Sequence, residues 1–421
     1  LHSKLIDAAS LFLKDNSTSQ KFLVLLLRLN QRSANRCDAD NKSLRPDQSG
    51  RKDCDMMFRL TKQPLRIFYM RKLLLITVLL SGVLGISHAQ TPAPVARSNW
   101  AVARLGDQVY TFFGLGPGKT NNDIMRDVHA LDLKSGQWRK VGDIPVQQGR
   151  LASVALTVAG KMYVLGGYTV APDGMEVSTP EVLQFIPDGS NFATETLMPI
   201  PVDDTVAMTW RDRWIVLVSG WHDTANVSDV QIYDTQTRQW IKGTPWPDKP
   251  VFGHAGGLVD DTMVICDGVT AEKKPDGKNT FAISNACWQG ALDANHIGKI
   301  DWHQLPAHPG APLYRAGATG DNIGKIARIV FAGGSSRPYN YNGIGYDGVP
   351  SEPSTAVFSF QAKSGMWELH APLPEAGMDF RGLIALDGGY GLFGGMREGQ
   401  KVSGGVIRFG LVSATSPLNR R

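Results

Sequence analysis

Four cysteines in 421 residues are too few for a disulfide scaffold. Only 20% of the chain is charged, which is too little for a wholly disordered polyelectrolyte. The nine histidines form no H-E-x-x-H and no tight Cys/His cluster, so no metal site is expected. There is no Gly-x-Ser-x-Gly, no phosphate-binding P-loop and no dinucleotide fingerprint, so no cofactor is expected either. The hydrophobic segment at 70–89 is too short to span a bilayer. Its apolar core runs from Leu73 to Ile86, against the roughly 20 residues a spanning helix requires.

Charge and glycine are unevenly spread. Residues 1–69 hold 13 Lys and Arg, 7 Asp, no Glu, no Trp and a single glycine, Gly50. Residues 90–421 hold all ten tryptophans and 42 of the 45 glycines, with a net charge of −3. The formal +5 of the whole chain therefore comes from the first 89 residues, and the remainder gives no support for nucleic-acid binding. Residues 70–89 read MRKLLLITVLLSGVLGISHA. A basic start, an apolar stretch and Ser87-His88-Ala89 before Gln90 match a signal peptide. The expected division is an upstream or disordered extension at 1–69, a signal peptide at 70–89, a folded domain at 90–410 and a tail at 411–421. Met70 is read as the true start. A periplasmic or secreted protein, free of the membrane once the signal is cleaved, follows.

The abundant glycine is ordered. A β-rich run ends in a glycine at YTFFG (110–114), YVLGG (163–167), LVSG (217–220), ICDG (265–268), FAGG (331–334) and LFGG (392–395). The intervals are 53, 53, 48, 66 and 61 residues. A second β-rich run follows each, and then an aromatic residue: Trp138, Phe192, Trp240, Trp302 and Trp367 in the first five units. Each unit reads as a four-stranded antiparallel sheet that cannot bury both faces alone. Six of them packing radially make an all-β, six-bladed β-propeller, expected to be monomeric because a closed ring leaves few open edges. The repeat resembles the kelch motif. Blade six has no fourth strand after GVIRF (405–409), and Thr91–Ala96 is the candidate to close the ring. Cys266 and Cys287 end one strand and begin its partner in blade four. They are placed either to bridge in an oxidising compartment or to pack as two buried thiols.

In such a fold the loops carry chemistry. Blade junctions contribute Arg150, His254, Arg315 and Arg381, and the long loop of blade five contributes Arg337, Tyr339, Tyr341 and Asn342. Arginine forks a carboxylate and tyrosine stacks on the apolar face of a sugar. These eight are the expected contacts of a small-molecule sugar acid or glycan.

Three stretches resemble the bacterial periplasmic N-acetylneuraminate epimerases, or sialic acid mutarotases: FGLG (113–116), FAGGSSRPYNYNGIGYDG (331–348) and EKKPDGK (272–278). The resemblance implies a cofactor-independent isomerase that opens and recloses the sugar ring by acid–base chemistry. It implies Glu272 as the proton acceptor and Lys278, where the family has arginine, beside it. The alternative is a non-catalytic exported propeller that binds a glycan or protein through its loop face.

Overall fold

The computed structural model describes residue 93 and residues 95–187 and 191–414. The extension at 1–69 and the signal sequence at 70–89 lie outside the described residues, as does the end of the tail.

Five four-stranded antiparallel sheets and one three-stranded sheet form six blades around an axis. Blade one consists of Ala101–Leu105, Gln108–Phe112, Asp127–Asp132 and Trp138–Asp143. The innermost strands of the blades are Ala101–Leu105, Val154–Val158, Val206–Trp210, Ala255–Val259, Gly317–Asp321 and Ile384–Leu386. Each contacts the next and the last contacts the first, so the ring is closed. They enclose a channel of about 640 Å³.

The aromatic residue of each outer strand sits at one register position, opposite a residue of the third strand. The pairs are Leu131 with Trp138, Phe185 with Phe192, Tyr233 with Trp240, Gly290 with Trp302 and Phe360 with Trp367. Each ring packs into the core between its own blade and the one before it; Trp302, for example, meets the buried Trp246 of blade three at 5.4 Å. Phe192 does in blade two what tryptophan does elsewhere.

The two residues ending each second strand are both left-handed. The first is not always glycine: Phe113, Ser219 and Asp267 hold it in blades one, three and four. The second always is. A Cβ on Gly167 would stand 2.5 Å from the Leu151 carbonyl, and one on Gly268 would stand 2.9 Å from the His254 Cα. Backbone contact, in addition to turn geometry, therefore demands glycine there.

Blade six has three strands among the described residues, Ile384–Leu386, Gly389–Phe393 and Val406–Phe409. The entering chain is tied to it by the Ala93 N–H to the Gly404 carbonyl at 2.8 Å and the Arg97 N–H to the Ser403 carbonyl at 3.1 Å. Cys266 and Cys287 face each other in register and are joined by a disulfide.

Candidate functional site

Six left-handed residues, one from each blade entrance, surround the axis at one end of the channel: Asn99, Ala152, Asp204, Gly253, Arg315 and Asp379. Backbone bonds link neighbours. The Gly253 N–H donates to the Asp204 carbonyl at 2.8 Å, and the Arg315 N–H to the Gly253 carbonyl at 2.7 Å. This ring aims unlike side chains at a common centre.

There Arg315 donates to both oxygens of Asp204, at 3.2 and 2.6 Å, and to Asp379 at 3.2 Å. Arg381 also grips Asp204, and donates through Nε to Asn99 at 2.9 Å. All four charged groups are buried. Burial alone would raise the Asp204 carboxyl, but Arg315 and Arg381 outweigh it and hold the group below its usual range. Asp379 is raised by burial, which its weaker contacts with the same arginines do not overcome. Asp204 and Asp379 are thus shifted in opposite directions although both face the same two arginines.

The expected substrate arginines are accordingly engaged elsewhere. Arg315 is sealed in the axial cluster, and Arg381, tied into it, lines the channel as His254 does. Arg150 binds Glu181 at 2.8 Å and tilts over Phe113, in the position where blade one pairs Arg97 with Asp127. It ties a blade together. Arg337 lies on the surface against Asp347 at 2.7 Å. His254 is buried, with Nε2 2.9 Å from the Val218 carbonyl. Burial lowers its pKa to about 4, so it is neutral at physiological pH. Tyr339 is buried beneath the guanidinium of Arg315, edge-on to Tyr314 at 5.0 Å. None of these six meets solvent as a free ligand-binding group. Tyr341 and Asn342 remain half-exposed, with the Asn342 Oδ1 accepting the Ile344 N–H at 3.0 Å in its own turn.

Glu272 lies on the blade-four hairpin of Val269–Lys273 and Asn279–Ile283. It is exposed and ion-paired with Lys249 at 2.7 Å. That lysine's hydrogen bond and charge hold the carboxyl below its usual range. Lys278 is exposed near the hairpin tip. Neither lines the channel.

Over the axial cluster, an aromatic layer is built from hairpins inserted after the glycine pairs and from the blade-five loop. Tyr168, Phe252, Tyr314 and Tyr339 are buried in it. Trp221, Phe281, Tyr341 and Tyr346 are half-exposed around it. Tyr346 stacks on Phe281 at 3.9 Å, and Phe281 meets Trp221 at 6.2 Å.

One carboxyl faces this layer with no hydrogen bond or ion pair among the described residues: Glu176, on the blade-two hairpin of Tyr168–Val170 and Glu176–Ser178. It feels both Arg315 and Asp204, and its charge adds to the burial that raises the pKa of Tyr341. The residue is exposed, yet desolvation of its carboxyl, helped by Asp204 against Arg315, raises it to about 7. Two residues along, the Ser178 hydroxyl bonds the buried Asp203 at 2.6 Å, and Asp203 is pushed well above its usual range by burial first and Asp204 second. Sequence reasoning passed over Glu176 because a lone glutamate in a short hairpin carries no motif.

No family model matches the chain. It is 28% identical over 247 residues to a protein of Yersinia pestis named N-acetylneuraminate epimerase; the match covers 49% of this chain and 60% of that relative. The chain resembles the N-acetylneuraminate epimerases. A Yersinia enterocolitica protein of the same name is 24% identical over 282 residues, covering 58% of this chain and 67% of that protein. Kelch-like protein 36 of Bos taurus is 21% identical over 244 residues, covering 57% and 38%. The solved structure titled "Structure of YjhT" superposes with a TM-score of 0.60 at 16% identity, covering 76% of this chain and 96% of that one, and shares the fold. The chain spans about 60% of the length of the first epimerase relative it matches.

Proposed function

We propose that the protein is a cofactor-independent mutarotase of a sugar acid, N-acetylneuraminate or a close analogue, working at the aromatic mouth above the axial cluster. The observation that carries the reading is the similarity to proteins named N-acetylneuraminate epimerase. The geometry supports it with an acid–base group and an aromatic wall.

Anomer exchange requires a proton to leave the anomeric hydroxyl and a proton to reach the ring oxygen as the ring C–O bond breaks. Reclosure on the other face of the carbonyl reverses both transfers. A carboxyl titrating near neutrality serves in either direction, and Glu176 is that group. Glu272, held ionised by an exposed lysine, is the weaker base. Tyr346, Phe281 and Trp221 offer faces for the apolar side of the sugar. Arg315 and Arg381, paired with Asp204 and Asp379, form the floor beneath the mouth. The signal-like sequence at 70–89 supports a periplasmic location for this reading, and N-terminal sequencing of the exported protein tests it.

The test of function is the equilibration of freshly dissolved N-acetylneuraminate, followed by NMR. Wild-type protein is expected to accelerate it and Glu176→Gln to lose the acceleration. A wild-type protein that leaves the rate at its spontaneous value overturns the reading.

A further inference from the structure

We propose that reduction of the Cys266–Cys287 disulfide uncovers a buried zinc site formed by Cys287, Asp267 and His308, independent of the mouth. The three residues come from separate segments: the third strand of blade four, the turn that ends its second strand, and the connection into blade five. Their ligand atoms all lie within 4.8 Å of one another, and all three residues are buried. Zinc bonds of about 2.0–2.3 Å in a tetrahedron place ligand atoms about 3.5 Å apart, so small movements close the set.

Two features prepare it. The His308 Nδ1 lies 3.1 Å from the Pro309 carbonyl, which can only accept, so that nitrogen carries a proton and Nε2 is turned toward Asp267 at 2.9 Å. The ring is stacked on Phe358 at 4.0 Å. The Asp267 carboxylate is oriented by the Leu313 N–H at 2.8 Å. Outer contacts of this kind fix the ligands of established metal sites. A thiolate, a carboxylate and an imidazole together select zinc over calcium or magnesium.

The disulfide is the gate, because a thiolate ligates and a disulfide sulfur does not. Reduction transfers two electrons and two protons from a dithiol, which closes to its own disulfide, and yields the thiols of Cys266 and Cys287. Zinc then displaces the Cys287 thiol proton and the proton between His308 and Asp267.

The test uses the full chain with Cys37→Ser and Cys54→Ser, so that only the blade-four thiols remain. It is reduced with a dithiol, freed of reductant without air, and titrated with zinc against a chromophoric chelator and separately with cobalt. The expected result is one metal per chain, with a thiolate-to-cobalt charge-transfer band, in the reduced protein and neither in the oxidised protein. His308→Ala and Asp267→Asn are expected to weaken binding at least about tenfold, with folding checked by near-ultraviolet circular dichroism. A reduced protein that takes up no metal, that shows no thiolate band, or whose folded variants bind equally well overturns the proposal. If both variants unfold, the reduced-against-oxidised comparison still decides it.

Discussion

Glu176 and Glu272 stand on related hairpins. Each hairpin follows the glycine that ends its blade's second strand, with Glu176 on the returning strand in blade two and Glu272 on the outgoing strand in blade four. Their surroundings drive them apart. Glu176 is turned over the buried Asp204–Arg315 cluster, has no partner among the described residues, and holds its proton up to about 7. Glu272 reaches into water, meets Lys249, and gives its proton up more readily than an ordinary glutamate. The repeat dictates where a hairpin emerges, and residues from other blades decide what its carboxylate can do. The proposed acid–base role is placed on Glu176 because a proton shuttle is most useful when its pKa lies near the working pH.

The largest expected effect breaks the pair directly. Glu176→Gln lowers the anomer-exchange rate by about 10²–10⁴-fold, the usual contribution of a positioned acid–base group, whereas Glu272→Gln leaves it unchanged in the same NMR assay. Equal losses in both would abolish the distinction.

Next comes the floor beneath Glu176. Asp204→Asn leaves Arg315 and Arg381 buried with only Asp379 beside them and costs about 3–5 kcal/mol in urea unfolding. A loss below about 1 kcal/mol, the worth of an exposed pair, would mean that the cluster is not desolvated as described.

A third contrast concerns how the hairpins are held. Gly167→Ala, at the root of the blade-two hairpin, combines positive φ with contact against the Leu151 carbonyl and costs about 3 kcal/mol. Gly277→Ala, at the blade-four tip, meets nothing within 4 Å and costs only the conformational penalty of about 1 kcal/mol. Matched thermal melts check the order.

A further contrast is in the pH dependence of stability. Glu176 binds its proton more tightly folded than unfolded, so its contribution is full below the ordinary carboxylate pKa of about 4.3 and falls as pH rises toward about 7. Glu272 has the opposite sign: its contribution is present above its ordinary pKa and is lost as pH falls through the lowered one. Glu176→Gln should flatten the neutral limb of the stability profile, and Glu272→Gln only the acid limb.

The propeller was legible because its devices repeat. The glycine at the end of each second strand is imposed by backbone contact, and the aromatic ring opposite the third strand is imposed by the wedge between blades; both recur at a readable period. The site was not, because its ring repeats in conformation and not in residue type. Asn99, Ala152, Asp204, Gly253, Arg315 and Asp379 share one backbone state and no chemical pattern. Reading arginines at blade entrances located Arg315 and Arg381 near the axis, but the carboxylates that absorb them come from blades three and six. Glu176 has the same difficulty, since its proton affinity depends on Asp204 and Arg315 in other blades. Asp267, Cys287 and His308 likewise form no cluster along the chain and meet only when blade four folds.

The most direct measurement of the central claim is a carbon-13 NMR titration of the glutamate carboxyls, with the two resonances assigned by Glu176→Gln and Glu272→Gln. The account predicts a midpoint near 7 for Glu176 and one below the ordinary glutamate value for Glu272. Midpoints that coincide near the ordinary value of about 4.3 would contradict it.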